Sequence, residues 1–265
     1  MLGTAGKIGL RGILIEQEWI ALPVSEDATH EARQTVQAQT ASPQERRLRR
    51  LVFQGCLFSV LIAFAGLAFL AHTSAYFPID LTITRAFQAF DPAWFAGLMR
   101  LVSWPGHSPQ GGLIVLLAAV LLFRGGLRWE AVVGLAAGFG AHALNLALKL
   151  AIQRPRPASD LVEVFRTLTS FSFPSGHVMF YSVFFGFLCF LAYTLLRSSW
   201  LRMSLVAFFA GLVVLVGPSR VYLGEHWSSD VLGAYLVSSL LLVVMIQFYS
   251  WGKKRFFHDQ PVASE

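Results

Sequence analysis

LVFQGCLFSVLIAFAGLAFLA, residues 51–71, contains no charged side chain. A helix needs about 20 mainly apolar residues to cross the hydrocarbon core of a bilayer, so this stretch reads as a membrane span. Working outward, five further runs have the same character: Gly111–Leu127, Glu130–Leu150, His177–Leu196, Leu201–Gly217 and Ser228–Ser250. The second is the shortest. Nothing in a bilayer core can pair with a free backbone N–H or C=O, so each run is expected to be helical. The expected fold is an all-α bundle of six transmembrane helices. Gly134 and Gly138, four apart in the third run, allow a neighbouring helix to approach closely.

Composition agrees with this reading. Hydrophobic residues make up 55% of the 265 and charged residues only 14%, whereas a soluble domain carries about 25% charged residues to solvate its surface. Mean hydropathy is +0.58. Two cysteines are too few for a disulfide scaffold. Both Cys56 and Cys189 lie in apolar runs and read as buried small hydrophobes. The net charge of +6 is not the footprint of a nucleic-acid partner. The basic residues sit in short groups between spans: Arg46, Arg47, Arg49 and Arg50; Arg124 and Arg128; Arg197 and Arg202; Lys253, Lys254 and Arg255. Cytoplasmic loops carry such groups. With Arg46–Arg50 inside, six crossings leave both termini cytoplasmic.

Residues 1–50 read as a polar, disordered cytoplasmic tail, residues 51–250 as the membrane domain, and residues 251–265 as a short basic cytoplasmic tail. The apolar stretch Leu10–Val24 is broken by Glu16 and Glu18, and it is too short and too charged to span. Between the first two spans, Asp80 reads as an N-cap, and Asp91-Pro92 as a cap followed by proline at the first helical position. Phe87, Phe90, Trp94, Leu98 and Met99 recur at helical spacing. These features predict two short amphipathic helices at the interface. Packing over the bundle and admission of a lipid fit that aromatic stripe equally well.

Charge beside a spanning helix is costly, about 2.5–3.5 kcal/mol per Lys or Arg at the helix centre, so such residues are functional candidates. They gather at three places on the expected outer side. Lys149 is followed, after six residues, by Arg156-Pro157. Pro174-Ser175-Gly176-His177 opens the fourth span. Ser219-Arg220, His226 and Asp230 join the fifth and sixth. Two arginine forks and a lysine suit a tetrahedral oxyanion. Ser175 and Gly176 precede a helix whose free N–H groups favour phosphate. His226 and Asp230, four apart at a helix start, share a face. The carboxylate can accept one ring N–H and leave the other nitrogen free to attack. His177 is available as a general acid. Three nearby cations disfavour the rival use of two histidines and an aspartate as metal ligands. Arg154 and Arg166 read as ordinary loop charges. His142 and Asn145 share the Lys149 face, and interhelical hydrogen bonding is the favoured reading for both.

The three segments resemble the signature of the type 2 phosphatidic acid phosphatase superfamily, matching each of its motifs without a departure across about Leu51–Ser250. The resemblance implies that His226 is the nucleophile forming a phosphohistidine, that Asp230 orients it, and that His177 protonates the leaving group. It implies that Lys149, Arg156, Ser175, Gly176 and Arg220 hold the phosphate, with no metal or other cofactor.

The expected function is therefore an integral membrane phosphatase, acting at the outer leaflet on lipid phosphate monoesters or isoprenoid diphosphates. Phosphatidic acid, phosphatidylglycerol phosphate and undecaprenyl diphosphate are the candidate substrates. The expected partners are the lipid substrate and the bilayer. A lipid phosphotransferase would use the same site. Vanadate-dependent haloperoxidases share the motifs, but six spans argue against one. A transporter or lipid-binding protein with a dead site would be expected to have lost His226 or His177. The sequence carries no signal for oligomeric state.

Overall fold

The computed structural model describes residues 42–256. The remainder of the expected tails, residues 1–41 and 257–265, lies outside the described residues. All regular structure among the described residues is helical, as expected. The helices are α1 (Pro43–Thr73), α2 (Pro78–Gln88), α3 (Ala93–Ser103), α4 (Gln110–Arg124), α5 (Arg128–Ile152), α6 (Gly176–Leu195), α7 (Trp200–Tyr222) and α8 (Ser228–Phe256).

The chain divides into two compact units, residues 1–53 and 54–265. In the first, residues 43–50 are helical rather than irregular. Pro43 opens the helix, the Ser42 hydroxyl accepts from the Glu45 N–H at 3.2 Å, and the Glu45 carboxylate accepts from the Ser42 N–H at 2.8 Å. This reciprocal box satisfies two N–H groups that a helix start otherwise leaves unpaired.

In the second unit, α5, α6, α7 and α8 are each long and apolar enough to span, as is α1 by itself. Helix α4 is not. Its 15 residues rise only about 22 Å, short of a core about 30 Å thick. Together with the preceding segment it reaches that length: Ala93–Gly106 and Gln110–Arg124 form a pair bent by 61°, which counts as a sixth candidate span when taken as one. Pro105 and Pro109 lie at the bend, where missing N–H groups interrupt a helix. Helix α3, expected as a short interfacial helix, forms the first arm of this bent pair. Large apolar side chains face outward from these helices, among them Phe58, Phe69, Leu117, Leu121 and Val214, as lipid-facing positions should. Cys56 is likewise exposed, not buried, and Cys189 is half-buried.

Two caps differ from expectation. Asp80 is the third residue of α2, with Phe77 at the cap position. Its carboxylate still accepts from the Phe77 N–H at 3.1 Å. At α3 the cap is Pro92, one residue later than Asp91. Helix α2 is tied to the segment after α5 and to the end of α7: Arg85 donates to the Leu161 carbonyl, and Gln88 to the carbonyls of Glu163 and Tyr222. Met99 and Ala96 of α3 bury themselves against Tyr222 and Leu223.

Local irregularities set the ends of the site helices. Pro218 sits inside α7 and cannot donate to the Val214 carbonyl four residues back. The Tyr235 hydroxyl of α8 donates there instead, at 3.4 Å, and to Val213 at 2.6 Å. Helix α6 contains a π-helical turn at Tyr181–Phe185, an irregularity that is common beside functional sites. Tyr181 there donates to the Val102 carbonyl of α3 at 2.6 Å. The α7–α8 turn requires Gly224. Its φ of 63° is left-handed, and a Cβ would lie 2.0 Å from the Glu163 carbonyl oxygen.

Candidate active site

The three motif segments stand at the same end of α5, α6, α7 and α8. Helix α5 stops at Gln153, which is left-handed with φ 55°. Prolines 155 and 157 then prevent helix from resuming. Lys149, in the last turn, is buried and donates to the Phe171 carbonyl and, at 3.5 Å, to that of Ser172. It thereby fixes the strand of chain leading into Pro174-Ser175-Gly176-His177.

Arg156 is held on both sides of its guanidinium. It donates to the Ser170 carbonyl at 2.7 Å, the Ser170 hydroxyl at 2.9 Å and the Glu225 carbonyl at 2.6 Å. Its Nη1 lies 3.2 Å from His226 Nε2. Burial, then the charge of Arg220, lowers its pKa to about 10, so it stays charged at neutral pH. Arg220, fully buried, donates to the Ser103 hydroxyl at 2.6 Å and forms an ion pair with Glu225.

His226 lies in the turn before α8 and is buried. Burial, then Arg156, Lys149 and Arg220, holds its pKa well below the usual histidine range, because each penalises the imidazolium. The ring is therefore neutral at pH 7. Its partners assign the tautomer. Nε2 faces the Arg156 N–H and must carry the lone pair. Nδ1 carries the proton and faces Ser172 Oγ at 3.5 Å and Asp230 Oδ2 at 3.6 Å. Ser172 bridges the two, donating its hydroxyl to Asp230 Oδ2, which also accepts from the Trp227 N–H at 2.9 Å. The Asp230 backbone reaches the second motif as well, its carbonyl accepting from the Ser175 N–H at 3.2 Å.

His177 is the second residue of α6. Its ring meets that of His107 edge-on, with centroids 4.8 Å apart. The ring also lies against Gly106, where a Cβ would come within 2.3 Å of His177 Cδ2. Gly176 passes close to α5, since a Cβ there would be 2.9 Å from Asn145 Oδ1. Asn145 donates to the Pro174 carbonyl at 2.9 Å, just before α6, and reaches Met179 Sδ of α6 at 3.2 Å, the interhelical contact its position suggests. The His142 ring lies tilted against Phe180, with centroids 5.4 Å apart.

Among the described residues, eight buried side-chain polar atoms have no hydrogen-bond partner, and three of them belong to motif residues: Ser175 Oγ, His177 Nε2 and Arg220 Nε. Native proteins pair most such atoms, and three gathered in adjoining motif segments offer donors and acceptors to a polar ligand. Cations of Lys149, Arg156 and Arg220 surround it, which makes an anion the natural occupant. Among the described residues, no three His, Cys, Asp or Glu side chains group as a metal-holding set.

Sequence reasoning passed over four residues here. Arg154 is not a loop charge: it is fully buried, with ion pairs to Asp230 at 2.7 Å and Asp80 at 3.0 Å. Asp80 also accepts from the Ser228 hydroxyl and from the N–H and hydroxyl of Ser229. Ser172 and Glu225 complete the set. The one available signal was the charged Arg154-Pro155-Arg156-Pro157 run, in which both arginines, not one, are drawn inward.

The profile of the PAP2 superfamily matches residues 128–254. Phosphatidylglycerophosphatase B of Bacillus subtilis (strain 168) is 32% identical over 200 residues, covering 75% of this chain and 96% of the relative. An undecaprenyl-diphosphatase of Sulfolobus acidocaldarius is 37% identical over 84 residues, covering 32% of this chain and 36% of that protein. The crystal structure of the PAP2-type phosphatidylglycerolphosphate phosphatase from Bacillus subtilis superposes with a TM-score of 0.65 at 28% identity, over 77% of this chain and 98% of the other. Aquifex aeolicus LpxE shares the fold, with a TM-score of 0.52 at 20% identity over 64% and 96%.

Proposed function

From the premise that the chain belongs to the PAP2 superfamily as an integral membrane phosphatase, we propose that it removes the terminal phosphate of lipid phosphate monoesters or lipid diphosphates through a phosphohistidine on His226. The observation that carries this reading is the trio of unpartnered buried atoms, Ser175 Oγ, His177 Nε2 and Arg220 Nε, beside a neutral, oriented imidazole. A phosphoryl group bound to these atoms stands against His226 Nε2. Lys149, Arg156, Gly176 and Arg220 stabilise the charge on its equatorial oxygens.

Nε2 attacks phosphorus as the bond to the lipid oxygen breaks, and His177 gives that oxygen its proton. Asp230, through Ser172 and Nδ1–H, holds the ring in its attacking tautomer and stabilises the positive charge it acquires. Water then attacks the phosphohistidine, giving its proton to His177. Inorganic phosphate leaves and both histidines return to their starting states. The two named relatives are a phosphatidylglycerophosphatase and an undecaprenyl-diphosphatase, and either class of lipid fits a site at a bundle end with its chains left in the bilayer.

Residues 51–250 form the catalytic membrane domain in this reading, with residues 1–50 and 251–265 at the cytoplasmic side. The basic groups at Arg46–Arg50, Arg124–Arg128, Arg197–Arg202 and Lys253–Arg255 then all face the cytoplasm, and the site opens on the other side. A cysteine placed at Ser159 should react with an impermeant maleimide in intact cells; reaction only after permeabilisation would reverse the orientation. The function itself is tested by phosphate release from the purified protein, comparing phosphatidic acid, phosphatidylglycerol phosphate, undecaprenyl diphosphate and a soluble monoester. Release from none of the lipids would refute it.

A further inference from the structure

A cavity of about 440 Å³ adjoins the site, lined in part by Arg100, Ser103, His107, Arg166 and Glu225. A second cleft of about 220 Å³ has Arg156, Arg166 and Glu225 in its wall. Arg166 and Glu225 are common to both. The cavities share their walls with the reaction centre. Ser103 holds Arg220, His107 lies edge-on to His177, and Arg156 touches His226.

The charges lining the larger cavity do not balance. Its one carboxylate, Glu225, is engaged by Arg220. Arg100 and Arg166 are exposed and pair with no carboxylate among the described residues. Arg100 rests its guanidinium over the Phe165 ring at 5.3 Å, which restrains the side chain while leaving its N–H fork unused. Two uncompensated guanidinium groups in a concave wall focus a positive potential there, and such forks match phosphate oxygens. The scissile phosphate is already supplied with cations by Lys149, Arg156 and Arg220. What remains for Arg100 and Arg166 lies on the side of His107 and His177, where the leaving oxygen receives its proton.

Resting on the proposed reaction, we infer that Arg100 and Arg166 form a subsite for a second, non-scissile phosphate carried by the leaving group. The enzyme is thus built for lipids with two phosphate groups. The second phosphate is the inner phosphate of a lipid diphosphate or the phosphodiester of a glycerol-linked phosphate. Phosphatidic acid, whose leaving group is neutral, does not use this subsite.

The test compares matched short-chain substrates in non-ionic detergent, free of anionic lipid, so that arginine attraction to bilayer phosphates does not contribute. One pair is farnesyl diphosphate and farnesyl monophosphate. The other is dioctanoyl phosphatidylglycerol phosphate and dioctanoyl phosphatidic acid. The readout is the ratio of kcat/KM within each pair, in which the fraction of correctly folded protein cancels. For Arg166→Gln and Arg100→Gln the ratio should fall about tenfold in favour of the one-phosphate lipid, as loss of a charge-assisted hydrogen bond implies. Arg166→Lys should restore part of it. The pair that shows the fall identifies which kind of second phosphate is read. Equal losses on both members of each pair, or unchanged ratios in both pairs, would overturn the subsite while leaving the proposed function standing. No phosphate release by the unmodified enzyme from any of the four would overturn both.

Discussion

Arg154 Nη1 lies 2.7 Å from Asp230 Oδ1, and neither side chain is exposed to solvent. The other end of the same guanidinium reaches Asp80 at 3.0 Å. Arg154 thus fixes one oxygen of the carboxylate whose other oxygen faces His226, and it links α2 to the start of α8 through a buried ion triad. Removing the cation leaves two buried carboxylates without their counter-charge. Arg154→Gln is expected to destabilise the fold by about 3–5 kcal/mol, read as a lower melting temperature in detergent. Arg154→Lys should recover part of the stability but less of kcat, because a point charge cannot bridge both carboxylates. A melting temperature for Arg154→Gln equal to that of the unmodified protein would contradict the triad's role.

The two histidines should separate by leaving group. His177 protonates the departing oxygen in this account, and general acid catalysis is typically worth about a hundred to ten thousandfold. His177→Ala should lose about that factor on a lipid monoester and regain part of it on an aryl phosphate, whose leaving group needs no proton. His226→Ala should be inactive on both. Gly106→Ala should behave as a weaker His177 lesion, since the added methyl would sit 2.3 Å from the ring. Identical leaving-group dependence for both histidine variants would show that the roles are misassigned.

Acid pH should harm the enzyme less than an ordinary histidine would predict. His226 must be neutral to attack, and burial, then Arg156, Lys149 and Arg220, depress its pKa. The acid limb of kcat/KM, which reports the free enzyme, should therefore lie well below pH 6.5. Arg156 is the largest of the charges acting on the ring. Arg156→Gln should leave the imidazolium less disfavoured, so the acid limb of its residual activity should move to higher pH. A pH–rate profile for the variant checks the sign, and a shift toward lower pH would be incompatible with this electrostatic origin.

Much of the fold was legible because lipid imposes one simple rule. Runs such as 51–71 and 228–250 must be helices, and helices α1 and α8 contain them. The bent pair was harder. Gly111–Leu127 reads as a short crossing, and only the structure shows that α3 precedes it across a 61° bend at Pro105 and Pro109. The motif residues were legible from local spacing: four residues from His226 to Asp230, six between Lys149 and Arg156. Asp80 was not, because its partners Arg154, Ser228 and Ser229 are far away in sequence, and no local pattern records them. Cys56 misled for a related reason. An apolar run marks what avoids water, and it does not say which face meets lipid and which meets protein. Arg154 and Arg166 were alike in sequence, both loop charges. One is fully buried between carboxylates and the other lines a cavity with no carboxylate partner among the described residues, a difference that depends entirely on tertiary placement.

The central claim is that phosphate passes through His226. The most direct measurement is to quench the working enzyme, with labelled lipid phosphate and excess chelator present, and to map any phosphoryl adduct by mass spectrometry under alkaline conditions, which preserve phosphohistidine. The account predicts an acid-labile adduct on the peptide containing His226, and none in His226→Ala. An adduct that persists in His226→Ala, that maps to another residue, or that forms only when magnesium is restored would contradict it.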